Sequence, residues 1–293
     1  ADNRTGYRVS LGFGDAINTV NLVDSTTDGG STRSFFGQYL EEAYFSYLAP
    51  VGNGLQFDFG KYVTPHGAEV IETKDNLNYT RGLLFTWAIP FYHFGARAKY
   101  TINDKAAMSF FVANGWNNVI DNNSGKTYGV SLALNPSSKF SIVQAYMAGP
   151  EQANDNDSWR HLADTVVTIS PTSKLSFIVN FDYGHDRVTG GGPDVYWTGV
   201  AGYVKYAPSA KYALVGRYEY FDDHDGFMTG TPQAMKEFTG TFQRAIAGNI
   251  IARLEYRHDY SNQPVFVKGI NPVFGQDTLT AGLVFTFDSR EAK

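Results

Sequence analysis

Six histidines, His66, His93, His161, His185, His224 and His258, are the side chains in this sequence that ordinarily titrate near neutrality. Acid–base or nucleophilic chemistry would need one of them beside a serine or a paired carboxylate. No histidine stands beside a serine in a recognisable nucleophile motif. His93 follows Glu69, Glu72 and Asp75 in the chain, but its apolar surroundings suit a packed ring better than a catalytic one. Cysteine is absent, which excludes disulfides, zinc-thiolate sites and thiol catalysis. Two acidic clusters, Asn154-Asp155-Asn156-Asp157 and Asp222-Asp223-His224-Asp225, could offer oxygens to calcium. Neither has the spacing of a helix–loop–helix calcium site, so solvated loop carboxylates are expected. No haem-attachment motif, glycine-rich phosphate loop or HExxH zinc motif occurs. The expectation is a protein that is not an enzyme, with no catalytic residue, no metal and no cofactor.

What remains is charge on alternate residues. Arg217 and Glu219 lie two apart, as do Arg97 and Lys99, and so do Arg253, Glu255 and Arg257. Arg160 and Asp164 are four apart. In an extended chain such residues share one face. The other face of the same segments is apolar. Leu279, Ala281, Leu283, Phe285 and Phe287 alternate with Thr278, Thr280, Gly282, Val284 and Thr286. Tyr212, Leu214, Gly216, Tyr218 and Tyr220 alternate with Ala213, Val215, Arg217, Glu219 and Phe221. A sheet with an apolar outer face and a charged inner one suits a barrel in lipid around a watery lumen.

The period-two pattern predicts fourteen strands: 6–13, 39–49, 54–62, 92–102, 106–116, 126–135, 140–148, 159–170, 174–184, 195–207, 211–221, 234–247, 250–260 and 276–287. They exceed the roughly 5–6 residues usual in soluble strands and match the roughly 9–11 that cross a bilayer. Short connections such as 103–105, 137–139 and 172–174 alternate with long Gly/Asn/Asp-rich loops, 14–38, 63–91, 117–125, 149–158, 185–194, 222–233 and 261–275. Outer-membrane barrels pair short periplasmic turns with long extracellular loops in this way. Parity makes 63–91 a single loop: a strand at 82–90 would put the short 103–105 turn on the wrong side. No linker or composition shift divides residues 1–293, so one transmembrane β-barrel domain is expected. Outer-facing residues include Tyr7, Val9, Leu11 and Phe13, and Tyr128, Val130, Leu132 and Leu134. Tyr100, Tyr206, Tyr212 and Tyr256 are placed near strand ends, as aromatic girdles.

The composition fits that reading. Aromatic residues make up 15% of 293 residues, with 30 glycines, and mean hydropathy is −0.28. The apolar runs fall short of the roughly 18 residues a membrane helix needs. Net charge is −5, from 24 basic and 29 acidic residues without a basic block, so nucleic acid is not an expected partner. Outer-membrane lipid and small polar solutes are the expected partners, and the sequence leaves room for a homo-oligomer.

Several stretches carry a family resemblance: GKYVTPHGAEVIETKDNLNYTRGLLFTWAIPFYHFGARAKY (60–100), VANGWNNVIDNNSGKTYGVSL (112–132), AGPEQ (148–152), WRHLADTVVTISPTSKLSF (159–177) and YEYFDDHDGF (218–227). The sequence resembles the bacterial OmpL-like β-barrel porin family. The resemblance implies a single barrel with a pore role and supplies no catalytic residues. Members of that family carry a further pair of strands before the segment matching GYRVSLGFGDA, which makes sixteen strands the alternative expectation. Phe287 fits a terminal aromatic residue of a barrel, although six residues follow it.

The expected function is an outer-membrane porin with a water-filled channel for passive diffusion of small polar solutes. Rival readings are a scaffold barrel around a partner such as a periplasmic electron carrier, and an outer-membrane hydrolase. The loop 63–91 is polar to Arg81 and apolar from Gly82 to Phe91. Folding the apolar part against the inner wall would hide it from water and leave the polar part lining the passage. Glu69, Glu72, Lys74, Asp75 and Arg81 would then set the constriction with Arg97 and Lys99. Arg160, Asp164, Arg217, Glu219, Arg253, Glu255 and Arg257 would line the pore beyond it.

Overall fold

The computed structural model describes residues 4–22 and 38–289. Sixteen antiparallel strands form, in chain order, β1 (Thr5–Leu11), β2 (Leu40–Ala49), β3 (Leu55–Val63), β4 (Tyr92–Asn103), β5 (Ala106–Ala113), β6 (Thr127–Ser137), β7 (Phe140–Pro150), β8 (Trp159–Thr172), β9 (Leu175–Arg187), β10 (Asp194–Ser209), β11 (Tyr212–Asp223), β12 (Gln233–Ala247), β13 (Ile250–Ser261), β14 (Phe266–Lys268), β15 (Asn271–Val273) and β16 (Gly275–Phe285). Fourteen of them make one meander in sequence order, from β1 through β13 to β16. These are the fourteen expected strands. The pair β14 and β15 forms a separate small hairpin inside the 261–275 loop, which the sequence reading missed. The helix α1 (Asp15–Leu22) was also missed, inside the expected 14–38 loop; its signal was Ile17 and Val20 at helical spacing behind an acidic first turn. Residues 23–37 of that loop lie outside the described residues. No helix among the described residues is long and apolar enough to cross a membrane.

The strands present opposite faces to opposite surroundings. Phe181, Tyr218, Leu254 and Phe238 are about half exposed, on one face. On the other, Asp182, Glu219, Glu255 and Glu237 are buried. That inversion is impossible for a soluble sheet and natural for one whose apolar face meets lipid. Tyr100, Tyr206 and Tyr212 sit near strand ends as expected, whereas Tyr256 sits in the middle of β13, with its hydroxyl donating to Asp277 at 2.6 Å.

The sheet is strongly curled. A flat sheet of fourteen strands would hold its edges roughly 60 Å apart. Yet Glu72 lies 3.9 Å from Arg8 on β1, and Tyr79 packs so tightly over Gly282 on β16 that a Cβ there would strike its ring. Seven residues of chain reach at most roughly 25 Å. One loop therefore touches both edge strands, and the polar face is concave. Among the described residues no ladder joins β1 to β16. Tyr7 on β1 is 85% exposed and Leu279 on β16 is 74% exposed, well above the inner strands.

Close approach inside the curl is set by glycine facing aromatic residues. Gly184 is the register partner of Trp197, and a Cβ there would enter the indole; Gly129 stands in the same relation to Phe111. Gly240 has open space where its Cβ would be. Gly184→Ala should therefore lower stability by about 1–3 kcal/mol, read as an earlier urea midpoint of the folded band in unboiled gels. Gly240→Ala should lose nothing; equal loss in both variants would refute this account.

Candidate functional site

The loop 63–91 crosses the concave face, and charged side chains from the strands hold its backbone. Glu219 of β11 accepts hydrogen bonds from the Leu83 amide at 2.6 Å and the Leu84 amide at 3.3 Å. These amides open a single π-helical turn, Leu84–Ala88, whose first N–H groups have no partner within the turn. Glu255 of β13 accepts from the Tyr79 and Thr80 amides at 2.6 and 2.9 Å. Arg253 of the same strand donates to the carbonyls of Thr73, Asn76 and Asn78. Arg257 donates to the Arg81 carbonyl at 2.6 Å and pairs with Asp259. Asp164 of β8 accepts from the Gly67 amide at 2.9 Å.

Arg217 is the centre of this network. Its guanidinium is fully buried, 2.6 Å from Glu69 on the loop, 2.8 Å from Glu237 and 3.6 Å from Glu219. It also donates to the Thr80 carbonyl at 2.7 Å. Glu69 in turn accepts from the Gly82 amide at 2.6 Å. One cation thus binds the two ends of the loop's tight bend to the wall.

The apolar half of the loop is largely buried. Leu83, Leu84, Phe85, Ala88 and Ile89 are buried, and Leu84 sits over Gly199 of β10. Trp197 donates its indole N–H to the Ala88 carbonyl at 3.1 Å.

The remaining expected residues divide into four groups. Arg97 and Lys99 of β4 both pair with the buried Asp58 of β3 at 2.9 Å, and Lys99 keeps 37% of its side chain exposed. Glu72, Lys74 and Asp75 are the exposed end of the loop, with Lys74 and Asp75 paired to each other. Arg160 pairs with Asp186 at 2.7 Å and lies over the rings of Trp116 and Phe227, away from the loop's bend. Arg81 has no hydrogen-bond or ion-pair partner for its guanidinium among the described residues. Sequence reasoning missed Asn180, Trp197, Thr239 and Thr241, and gave Asn76, Asn78 and Glu237 no role of their own. Most lie on the inner face by alternation, but nothing marks an amide or hydroxyl there as a backbone clamp.

Five of the six histidines have a ring or hydrogen-bond partner among the described residues; His224 is exposed. His93 donates from Nδ1 to the Gly115 carbonyl at 3.3 Å, so its Nε2 must accept from the Thr64 hydroxyl at 3.1 Å. Thr64 then accepts from His66 Nδ1 at 3.1 Å. Burial pushes His66 down to about 3, so it stays neutral. Tyr146 contacts His161 at 2.7 Å, and Asp277 contacts His258 at 2.8 Å. The acidic clusters build turns: Asp155 accepts from the Asp157 and Ser158 amides, and Asp223 from the Met228 and Thr229 amides.

Two outcomes follow from these contacts. Arg217→Met would leave three buried carboxylates without their cation, so a stability loss of about 3–5 kcal/mol is expected in urea melts; a loss below 1 kcal/mol, on the order of an exposed pair, would refute its central role. In the long-loop region, Glu151 is buried, accepting from the Trp116 amide and the Thr127 hydroxyl at 2.5 Å. Burial raises its carboxyl from 4.5 to about 7. The folded loops hold that proton more tightly than the unfolded chain, so their stability falls as pH rises from 4.5 towards 7. Protease nicking within 114–126 should be faster at pH 8 than at pH 5 relative to a peptide standard, and Glu151→Gln should abolish the difference.

Comparisons with known proteins fit this geometry. The chain is similar in structure to OmpT (in-vitro folded), an outer membrane protein of Vibrio cholerae, at TM-score 0.61 and 10% identity, over 84% of this chain and 80% of that one. It is similar to an anion-selective porin from Comamonas acidovorans at TM-score 0.61 and 10% identity, over 84% and 77%. The outer membrane channel DcaP of Acinetobacter baumannii matches at TM-score 0.51 and 10% identity, over 97% and 96%. Among curated proteins no sequence matches. The family model described as "Putative beta-barrel porin-2, OmpL-like" matches residues 1–287. With its apolar-out, charged-in sheet and its strapped concave face, the chain belongs to this family of outer-membrane β-barrel porins, in the bacterial outer membrane.

Proposed function

We propose that the sheet closes in the bilayer and that small polar solutes diffuse passively through a water-filled passage beside the loop 63–91. An open sheet edge cannot persist in hydrocarbon, because its N–H and C=O groups would lack partners. The single observation that carries the passage is the one-sided fixing of the loop. Its bend is bound to β8, β11 and β13, while the inner face of β3 to β6 holds a cavity of about 430 Å3. Gln56, Lys99, Ser109 and Ser131 face that space.

On this reading thirteen of the fourteen expected residues, all but Arg81, have one of three jobs. Glu69, Asp164, Arg217, Glu219, Arg253, Glu255 and Arg257 fix the loop, and Arg160 braces the long-loop end. Glu72, Lys74 and Asp75 on the loop, with Arg97 and Lys99 on the wall, bound the narrowest section. Both signs occur there, which favours orientable polar solutes over apolar ones and gives little ion selectivity. The role is that of a channel rather than an enzyme, supported by the burial of His66 and His93, whose rings bond Thr64 and the Gly115 carbonyl. OmpT of Vibrio cholerae is also known in a trimer form. For this chain we place the contact between copies on β7 and β8, where Thr165 donates to Gln144 at 2.7 Å on the otherwise apolar face.

Planar-bilayer recording tests the reading. Steady conductance in potassium chloride is expected, and deletion of residues 68–80 should raise it severalfold. Unchanged conductance in a folded deletion variant would remove this loop as the constriction, and no current from the folded wild type would remove the porin reading.

A further inference from the structure

The backbone on both sides of Arg81 is fully engaged. The Thr80 carbonyl is held by Arg217, the Arg81 carbonyl by Arg257, the Gly82 amide by Glu69 and the Leu83 amide by Glu219. The side chain is the opposite. Its guanidinium has no hydrogen-bond or ion-pair partner among the described residues, although Arg97, Arg160, Arg217, Arg253 and Arg257 all have one. Of the carboxylates whose charge reaches it, Glu69, Glu72 and Glu41, the first is occupied by Arg217 and Gly82 and the second lies 3.9 Å from Arg8. Burial lowers the pKa of the half-buried Arg81 from its ordinary value, with the charges of Glu69, Tyr79, Glu72 and Glu41 acting the other way.

Arg81 borders a cavity of about 270 Å3 between α1 and the loop. Val20 of α1 and Ile71, Phe85 and Phe91 of the loop supply apolar walls. Thr86, also on the wall, spends its hydroxyl on the Gly82 carbonyl at 2.8 Å. The site therefore combines one rigidly mounted cation with an apolar chamber. A guanidinium in such surroundings gains most from a planar oxyanion that takes two parallel N–H bonds. One cation balances one charge, so a doubly charged inorganic anion would leave a charge unpaired in an apolar space.

We propose that this cavity binds a small organic monocarboxylate with an apolar body, its carboxylate on Arg81 and its body against Val20, Phe85 and Phe91. As a stop on a solute's path the site rests on the porin reading; the binding itself does not.

The test uses benzoate, benzamide and inorganic phosphate, titrated calorimetrically into the detergent-solubilised full chain. Benzoate should bind, with benzamide weaker by about tenfold or more, and phosphate should not displace it. Arg81→Gln should weaken benzoate by about tenfold or more, without changing the folded band on unboiled gels. Ala16→Trp fills the same cavity without touching Arg81, and it should weaken benzoate too. Absence of benzoate binding, equal binding of benzamide, displacement by phosphate, or full affinity in both variants overturns the proposal. Potassium chloride conductance of the same wild-type sample judges the porin reading separately. A conducting protein blind to benzoate sinks only the carboxylate site, and a non-conducting one that binds benzoate sinks only the channel.

Discussion

The interaction on which the rest depends is the buried pairing of Arg217 with Glu69, Glu219 and Glu237. A charge placed away from water costs several kcal/mol unless it is both paired and hydrogen-bonded. Here every partner has a second duty. Glu69 holds Gly82, Glu219 holds the start of the π-helical turn, and the guanidinium itself holds Thr80. The cost of burying four charges is offset by fixing a bend of chain that has little regular hydrogen bonding of its own. The apolar packing of Leu84 and Phe85 then follows from where that bend is held.

The strands were legible in the sequence because a sheet with lipid outside and charge inside writes its pattern at every second residue. All fourteen strands of the main sheet were placed, and parity alone identified 63–91 as a loop and not a loop plus strand. The inward fold was legible too, since Leu83 to Ile89 could not remain in water. The clamps were not. Asn180 holds the Ala68 amide and Asn78 donates to the Thr241 hydroxyl, partners 112 and 163 residues away in the chain, and such pairings leave no local signature. Trp197 could be placed on the inner face, but its bond to the Ala88 carbonyl depends on Gly184 leaving room for the ring. The helix α1 was hidden because eight residues of amphipathic pattern, set in a Gly- and Asp-rich region, resemble a loop.

This split explains how the chain can share a fold with solved porins at 10% identity. The wall asks only for alternation, turns and enough apolar surface, which many sequences satisfy. The strap asks for particular residues, because an arginine with three carboxylates does not tolerate exchange. The long stretch 60–100, which carries much of the family resemblance, is the strap with its flanking strands. Four further stretches share the resemblance, so it runs through wall and strap alike, and the family match extends over residues 1–287.

The strap's one-sided attachment gives the molecule unequal mechanical halves. The arc from β8 to β13 is propped from within at several points, like a vault on a buttress. The arc through β5 and β6 holds its shape mainly by its own ladders and a Ser109–Ser131 contact at 2.7 Å. Lateral pressure from the bilayer falls on both arcs alike, yet only the second is free to flex. A bilayer that squeezes this sheet would meet an arc stiffened from within on one side and, on the other, an arc that has less to lean on.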